Sequence, residues 1–142
     1  MKSLKIGSEL SELDKVREFL TEELKDLNLS DKVFYRIELS LMEICINIMR
    51  YAYPEEKGDI FFKIWKEQGK VFFEIKDKGI PFDPTQLELP DIKKIIKEKR
   101  KGGLGIFLAW SLMDGFSYSR KNNQNVLLMH KKIKKTDRSK SV

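Results

Sequence analysis

The chain has 142 residues, of which 41% are hydrophobic and 35% charged, a balance typical of one globular domain with a two-layer core. No apolar run approaches the roughly 20 residues needed to span a bilayer, and the start of the chain lacks the apolar stretch of a signal peptide. The single cysteine, Cys45, cannot form an internal disulfide, so we expect a cytoplasmic protein that does not enter a membrane.

The net charge of +6 is placed unevenly along the chain. From Lys131 onward there are six lysine or arginine residues against one acidic residue, so nearly all of the excess is C-terminal. We therefore expect a single domain over residues 1–135 and a basic, disordered tail over residues 136–142. A nucleic-acid-binding tail is the alternative. The tail has no aromatic residues among its basic ones, as base stacking would need, and we do not expect direct nucleic-acid binding.

The first half of the chain predicts a short strand followed by two helices. Residues 4–6 can form an edge strand, and Ser8 or Ser11 can cap a first helix that runs to about Leu27. A second helix is predicted over residues 31–51. Apolar residues recur at helical spacing in both segments.

The second half predicts two hairpins and a third helix. Apolar residues alternate on either side of residues 67–70, and again around Asn122 and Asn123, which indicates antiparallel strands. Between the hairpins, a proline-rich loop and a short basic helix or mobile segment at residues 91–99 precede the third helix, at residues 106–113. This order predicts an α+β fold, a two-layer sandwich with helices packed on one face of a mixed, mostly antiparallel sheet.

The polar residues of the second helix lie along one narrow line. Over residues 39–49 only Ser40, Glu43 and Asn47 are polar, and steps of three and four residues place them on one face. A helix that is apolar around most of its circumference must be largely buried. A carboxylate one turn from an amide oxygen can take a proton while the amide holds a hard cation. The alternative is a solvated face on which Glu43 pairs with Asn47 or Arg36.

Two further features follow in chain order. Asp77 ends a predicted strand two residues before Gly79; an acceptor there can bind an exocyclic amine, and a glycine lets a flat ring approach the backbone. The glycine-rich residues 102–105 precede a helix, whose exposed N–H groups and positive dipole end favour phosphate. The basic run at residues 93–101 could close as a lid over a triphosphate. The alternatives are a plain turn at Asp77 and Gly79, a helix start without a ligand at residues 102–105, and a solvated helix face for the basic run.

Together these three features resemble the ATP-binding domain shared by gyrase, Hsp90, histidine kinases and MutL, the GHKL superfamily, whose nucleotide pocket is called the Bergerat fold. The matching motifs are ExxxN followed by YAYP, then DxGxPFDP, then GGLGIxLA with LMD soon after. More narrowly, the chain resembles the anti-sigma-factor serine kinases of bacteria over nearly its whole length. The superfamily has a second glycine where this chain has Pro81, which fits the anti-sigma branch. The only histidine, His130, has no partner typical of a phosphoacceptor, and we expect it to be a structural or surface residue.

The resemblance implies a role for each matching residue. Asn47 would coordinate magnesium, and Glu43 would be the general base that activates a nucleophile. Asp77 would bind the adenine amine, with Gly79 against the ring. The remaining residues expected to hold ATP, through its phosphates, are Arg100, Lys101, Gly102, Gly103, Leu104 and Gly105.

The resemblance also implies a function. It suggests an ATP- and Mg²⁺-dependent serine protein kinase that phosphorylates an anti-anti-sigma factor, its antagonist, and sequesters a sigma factor in a partner switch. Kinases of this kind are dimers, so a homodimer is expected. The alternative is a nucleotide-gated protein-binding regulatory module with little or no phosphotransfer activity.

Overall fold

A computed structural model describes residues 2–83 and 109–139 of the chain. The predicted basic helix at residues 91–99 lies outside the described residues, and of the predicted third helix residues 109–112 are described and helical. Also outside the described residues are six of the expected nucleotide ligands, Arg100, Lys101, Gly102, Gly103, Leu104 and Gly105.

The described residues form one five-stranded sheet. Its strands are β1 (Lys2–Gly7), β2 (Asp59–Glu67), β3 (Lys70–Asp77), β4 (Gly115–Lys121) and β5 (Gln124–Lys132). They lie in the order β1-β2-β3-β5-β4, and every neighbouring pair in this part of the chain is antiparallel. The predicted edge strand and both hairpins are confirmed.

The two hairpin turns explain why the strands pair in this register. Gln68 and Gly69 have φ angles of 50° and 75°, and Asn122 and Asn123 have φ angles of 51° and 61°. Two successive residues with positive φ are the signature of a type I′ turn, whose twist matches that of the strands it joins. Asparagine and glycine are the residues that adopt this conformation at least cost.

The helices follow the predicted order with different details at their ends. They are α1 (Leu13–Leu24), flanked by 3₁₀ turns, and α2 (Asp31–Asn47). Ser30 caps α2 by accepting a hydrogen bond from the Val33 N–H at 3.3 Å. The prediction that Ser8 or Ser11 caps the first helix is wrong, because α1 begins after Glu12 without a side-chain cap. Ser8 instead accepts the Gly58 N–H at 3.0 Å.

Both helices pack on one face of the sheet around a shared core. Alternate residues of β2, β3 and β5 are buried there, which confirms the α+β sandwich. Cys45 is fully buried in this core, and burial raises the pKa of its thiol strongly. Within residues 2–83 and 109–139, no helix is long and apolar enough to cross a bilayer.

The C-terminal segment differs from the expected disordered tail. Residues 135–137 form a 3₁₀ turn, and Arg138 pairs with Leu29 in an antiparallel bridge. The Ser139 N–H donates to the Asn28 carbonyl at 2.8 Å. Lys131, which is only 6% exposed, lies 3.5 Å from the Asp137 carboxylate. Residues 136–139 are therefore packed against the connection between α1 and α2, because specific polar contacts offset the cost of ordering them.

Candidate functional site

The polar stripe of α2 runs from solvent into the interior. Arg36 is exposed, Glu43 is half-buried, and Ser40 and Asn47 are buried. The Ser40 hydroxyl donates to the Arg36 carbonyl at 2.8 Å, so its hydrogen bond is made within the helix. Asn47 Nδ2 donates to the Glu43 carbonyl at 3.0 Å. This bond fixes the amide plane and points Asn47 Oδ1 away from the helix backbone.

Glu43 and Asn47 retain unused polar atoms. In the described ranges, neither the Glu43 carboxylate nor Asn47 Oδ1 has a hydrogen-bond or ion-pair partner. The two side-chain pairings considered from the sequence, Glu43 with Asn47 and Glu43 with Arg36, are therefore not formed. A carboxylate and an amide oxygen one turn apart are left available to a ligand.

The end of α2 meets the loop that follows β3. A π-helical turn, Ile48–Ala52, continues α2, and such turns are frequent at functional sites. The Ala52 carbonyl accepts the Ile80 N–H at 2.9 Å. A Cβ added to Gly79 would lie 2.2 Å from that carbonyl oxygen. Close contact with α2 therefore requires glycine at residue 79, and its expected place against an adenine ring stays a prediction.

Tyr53 also holds the loop after β3 in place, through its hydroxyl group. Its hydroxyl donates to the Asp59 carbonyl at 2.7 Å and accepts the Lys78 N–H at 2.7 Å. Burial raises the pKa of this phenol. A Cβ on Gly58 would lie 2.1 Å from the Tyr53 ring. The tyrosine next to Pro54 in the YAYP motif therefore has a structural role.

Asp77 ends β3 and is 2% exposed. Its Oδ1 accepts two hydrogen bonds, from the Gly79 N–H at 2.9 Å and from Asn125 Nδ2 at 2.8 Å. Burial raises the pKa of the carboxyl, and the bonds from Asn125 and Gly79 and the charge of Arg120 oppose that increase. Among the described residues no donor is bonded to Oδ2, which leaves one acceptor atom for a ligand.

Two residues that hold this loop were missed from the sequence. Asn125 bonds to Asp77 and also to the Ile80 carbonyl at 2.8 Å, and Arg120 donates to the Gly79 carbonyl at 2.8 Å. A signal for Asn125 exists, because it is a polar residue at an inward-facing position of a strand whose other inward residues include Leu127. Nothing in the sequence pattern marks Arg120 as a residue of the site.

The side chains of α2, β3 and β5 enclose one pocket. Its lining combines apolar residues with the polar ends of Asn47, Asp77 and Asn125: Ile44, Asn47, Ile48, Ile75, Asp77, Phe82, Tyr118, Asn125 and Leu127. Phe82 lies in this lining and stacks on Tyr51 with ring centroids 5.2 Å apart. The free space has room for about one water molecule. A purine is larger than this space, so it could enter only if lining residues moved.

The donor set of the pocket fits Mg-ATP. Asp77 Oδ2 is an acceptor in an apolar surrounding, where an amine bond is strongest, and Asn47 Oδ1 is the neutral oxygen ligand that Mg²⁺ accepts. No cluster of three or more His, Cys, Asp or Glu ligands occurs in residues 2–83 and 109–139. An Mg²⁺ ion that binds together with a nucleotide takes one or two protein oxygens, and substrate phosphates and water complete its coordination.

A family model described as a histidine kinase-like ATPase domain matches residues 6–131. Because the match covers most of the chain, the protein belongs to this family of ATP-binding domains, and the resemblance to the GHKL superfamily is confirmed.

The curated relatives of this chain have a more specific name than the family. The serine-protein kinases RsbW of Bacillus thuringiensis and Bacillus anthracis are each 27% identical to this chain over 96 residues, covering 65% of this chain. The aligned part spans 60% of the length of those relatives. Among solved structures, the Acinetobacter baumannii histidine kinase AdeS is 16% identical with a TM-score of 0.49, over 93% of this chain and 68% of that one.

Proposed function

We propose that the protein is an ATP- and Mg²⁺-dependent serine protein kinase that acts as an anti-sigma factor. It phosphorylates a serine of an anti-anti-sigma factor and, when free of that antagonist, sequesters a sigma factor. The proposal rests on the family match to an ATPase domain, on the name of the curated relatives and on the arrangement of α2 and β3. It also includes a homodimer, by analogy with kinases of this kind.

The observation that carries the proposal is a set of unused oxygen atoms: two belong to residues that line the pocket, Asp77 and Asn47, and the others belong to Glu43, one helical turn from Asn47. Asp77 Oδ2, Asn47 Oδ1 and the Glu43 carboxylate have no partner in the described part of the chain. Among the described residues the one buried side-chain nitrogen or oxygen without a partner is Trp110 Nε1, so these three side chains present their unpaired oxygens to solvent or to a ligand. A bound nucleotide and metal would use the oxygens of Asp77 and Asn47, whereas Glu43 would remain available to accept a proton.

Each residue has a distinct part in the proposed transfer. Asp77 accepts the exocyclic amine of the base, and Asn47 supplies one oxygen ligand to the metal. Glu43 accepts the proton of the serine hydroxyl as its oxygen bonds to phosphorus, and the bond to the leaving ADP breaks. Mg-ATP supplies the phosphoryl group, and the metal partly neutralises the negative charge of the phosphates. The six expected ligands at residues 100–105 remain proposed contacts to the phosphates.

Phe82 supports a second candidate function. Its ring lines the pocket and stacks on Tyr51, so a nucleotide that displaced Phe82 would also move the loop after β3. A protein that used ATP only to move this loop would be a nucleotide-gated binding module, without transfer.

Calorimetry of the chain with ATP, with and without Mg²⁺, tests the nucleotide site. Wild type should bind Mg-ATP, and Asn47→Ala should lose most of the gain that Mg²⁺ provides. Arg36→Ala is the matched control, since Arg36 lies on the same stripe of α2 but is exposed. Equal Mg²⁺ dependence in wild type and Asn47→Ala would remove Asn47 from the metal site, and absence of any ATP binding would refute the proposal.

A further inference from the structure

Asn125 is buried directly opposite Asp77. The two residues are register partners on β5 and β3, and Asn125 is 4% exposed. A buried amide is costly unless its hydrogen-bonding groups are used. The role of Asn125 in the site therefore depends on which of its hydrogen-bonding groups the protein itself uses.

The Asn125 amide is fully used by the protein. An amide offers two N–H donors and two acceptor sites on its oxygen. Nδ2 donates to Asp77 Oδ1 and to the Ile80 carbonyl, each at 2.8 Å. Oδ1 accepts the Phe82 N–H at 3.2 Å and the Tyr118 hydroxyl. No hydrogen-bonding capacity is left for a ligand, so Asn125 cannot itself hydrogen-bond to a base.

These contacts also fix the orientation of the amide. If the amide were turned over, its oxygen would face two acceptors, Asp77 Oδ1 and the Ile80 carbonyl, and its NH₂ group would face the Phe82 N–H. Only one orientation satisfies all four groups. Asn125 therefore presents a donor to Asp77 in a fixed direction.

A fixed donor on Asp77 Oδ1 makes the two carboxylate oxygens different. Oδ1 is saturated by the Gly79 N–H and by Asn125, and this pair of bonds holds the plane of the carboxylate. Oδ2 is then the one atom of Asp77 that a ligand can reach. An ionised oxygen held there accepts a hydrogen bond from an amine and repels a carbonyl oxygen.

We propose that Asn125 is a positioning residue that sets base specificity by locking Asp77 with Oδ2 toward the pocket. The inference rests on the proposed nucleotide function. It predicts strong preference for a base with an amine at the recognised position over one with a carbonyl there. It also makes that preference depend on a residue that does not hydrogen-bond to the base. The same amide holds the Ile80 carbonyl and the Phe82 N–H, so it also ties the loop beside the pocket to β5.

The test is the ratio of the dissociation constants of ITP and ATP, which differ in having a carbonyl or an amine on the six-membered ring. Wild type should bind ATP at least about 30-fold more tightly than ITP. Asn125→Ala frees the carboxylate of Asp77 to rotate, and the ratio should fall below about 5-fold. Gln124→Ala is the control, because this neighbouring amide faces the opposite side of the sheet, and it should keep the wild-type ratio.

A merely structural role would weaken both nucleotides equally and leave the ratio unchanged in Asn125→Ala, which would overturn the inference. If that variant does not fold, Asn125→Leu, which is similar in shape and removes the donor without adding a charge beside Asp77, gives the same comparison. Wild-type protein that binds ATP and ITP equally would refute the inference while leaving the nucleotide site intact. Wild-type protein that binds neither would refute the proposed function itself.

Discussion

Replacing Asp77 with asparagine would turn its unpaired carboxylate oxygen, an acceptor, into a donor. Oδ1 of an asparagine can still accept from the Gly79 N–H and from Asn125, so the loop after β3 should keep its position. The atom that replaces Oδ2 is then an NH₂ group. It offers donors where wild type offers an ionised acceptor, so an adenine amine would meet a donor.

The size of this effect follows from the bond that is lost. A hydrogen bond to a charged group contributes about 1.5–3 kcal/mol, and about 1.4 kcal/mol corresponds to a factor of ten in affinity. Asp77→Asn should therefore weaken ATP binding by about ten- to a hundredfold. Binding of ITP, whose carbonyl can accept from the new NH₂ group, should weaken less or improve.

Isothermal calorimetry with both nucleotides measures this directly, with circular dichroism to show that the variant is folded. Glu67→Gln makes the same chemical change at an exposed residue at the other end of the hairpin, and it should leave both affinities unchanged. Unaltered ATP affinity in folded Asp77→Asn would show that Asp77 does not contact the base.

Three further predictions concern stability. Because burial raises the pKa of Asp77, the folded state binds the proton of this carboxyl more tightly than the unfolded chain, whose aspartate pKa is about 3.9. The unfolding free energy of wild type relative to Asp77→Asn should therefore fall as pH rises from about 4 through the raised pKa. Thermal melts of both proteins across this pH range check the prediction. Gly79→Ala places a Cβ 2.2 Å from the Ala52 carbonyl oxygen, and denaturant unfolding should show a loss of about 1–3 kcal/mol together with weaker ATP binding; Gly69→Ala, with open space but a φ of 75°, should cost about 1 kcal/mol and leave ATP binding unchanged. Deleting residues 136–142 removes the contacts of the packed C-terminal segment and should lower Tm by several degrees without changing ATP affinity; an unchanged Tm would show that the segment contributes nothing to folding.

The hairpins and the buried helix could be predicted because their signals are local. Alternating apolar residues on both sides of Gln68 and Gly69, or of Asn122 and Asn123, specify a strand, a turn and a strand within a short stretch of chain. The three-residue and four-residue spacing of polar residues in α2 likewise specifies one face. These patterns need no information from distant parts of the chain.

Other features depend on contacts between distant residues. The π-helical turn after Asn47 is accompanied by the Ala52 contact with Ile80, and nothing in the helical spacing marks it. Asn125 became recognisable as a site residue once its register with Asp77 was known. The packing of residues 136–139 depends on polar contacts such as that of Ser139 with Asn28. Composition alone shows only that this segment is charged, so it predicts a solvated tail.

Single-turnover transfer from labelled ATP to a purified antagonist protein shows whether Glu43 is the proposed general base of a serine kinase. General-base catalysis contributes roughly a hundred- to ten-thousandfold. Glu43→Gln should therefore bind Mg-ATP about normally and transfer phosphate at least about a hundredfold more slowly. Glu38→Gln, on the same helix and 3.4 Å from Arg17, should transfer at the wild-type rate. Glu43→Gln that transfers as fast as wild type, or wild-type protein that holds ATP and antagonist together and transfers nothing, would contradict the account.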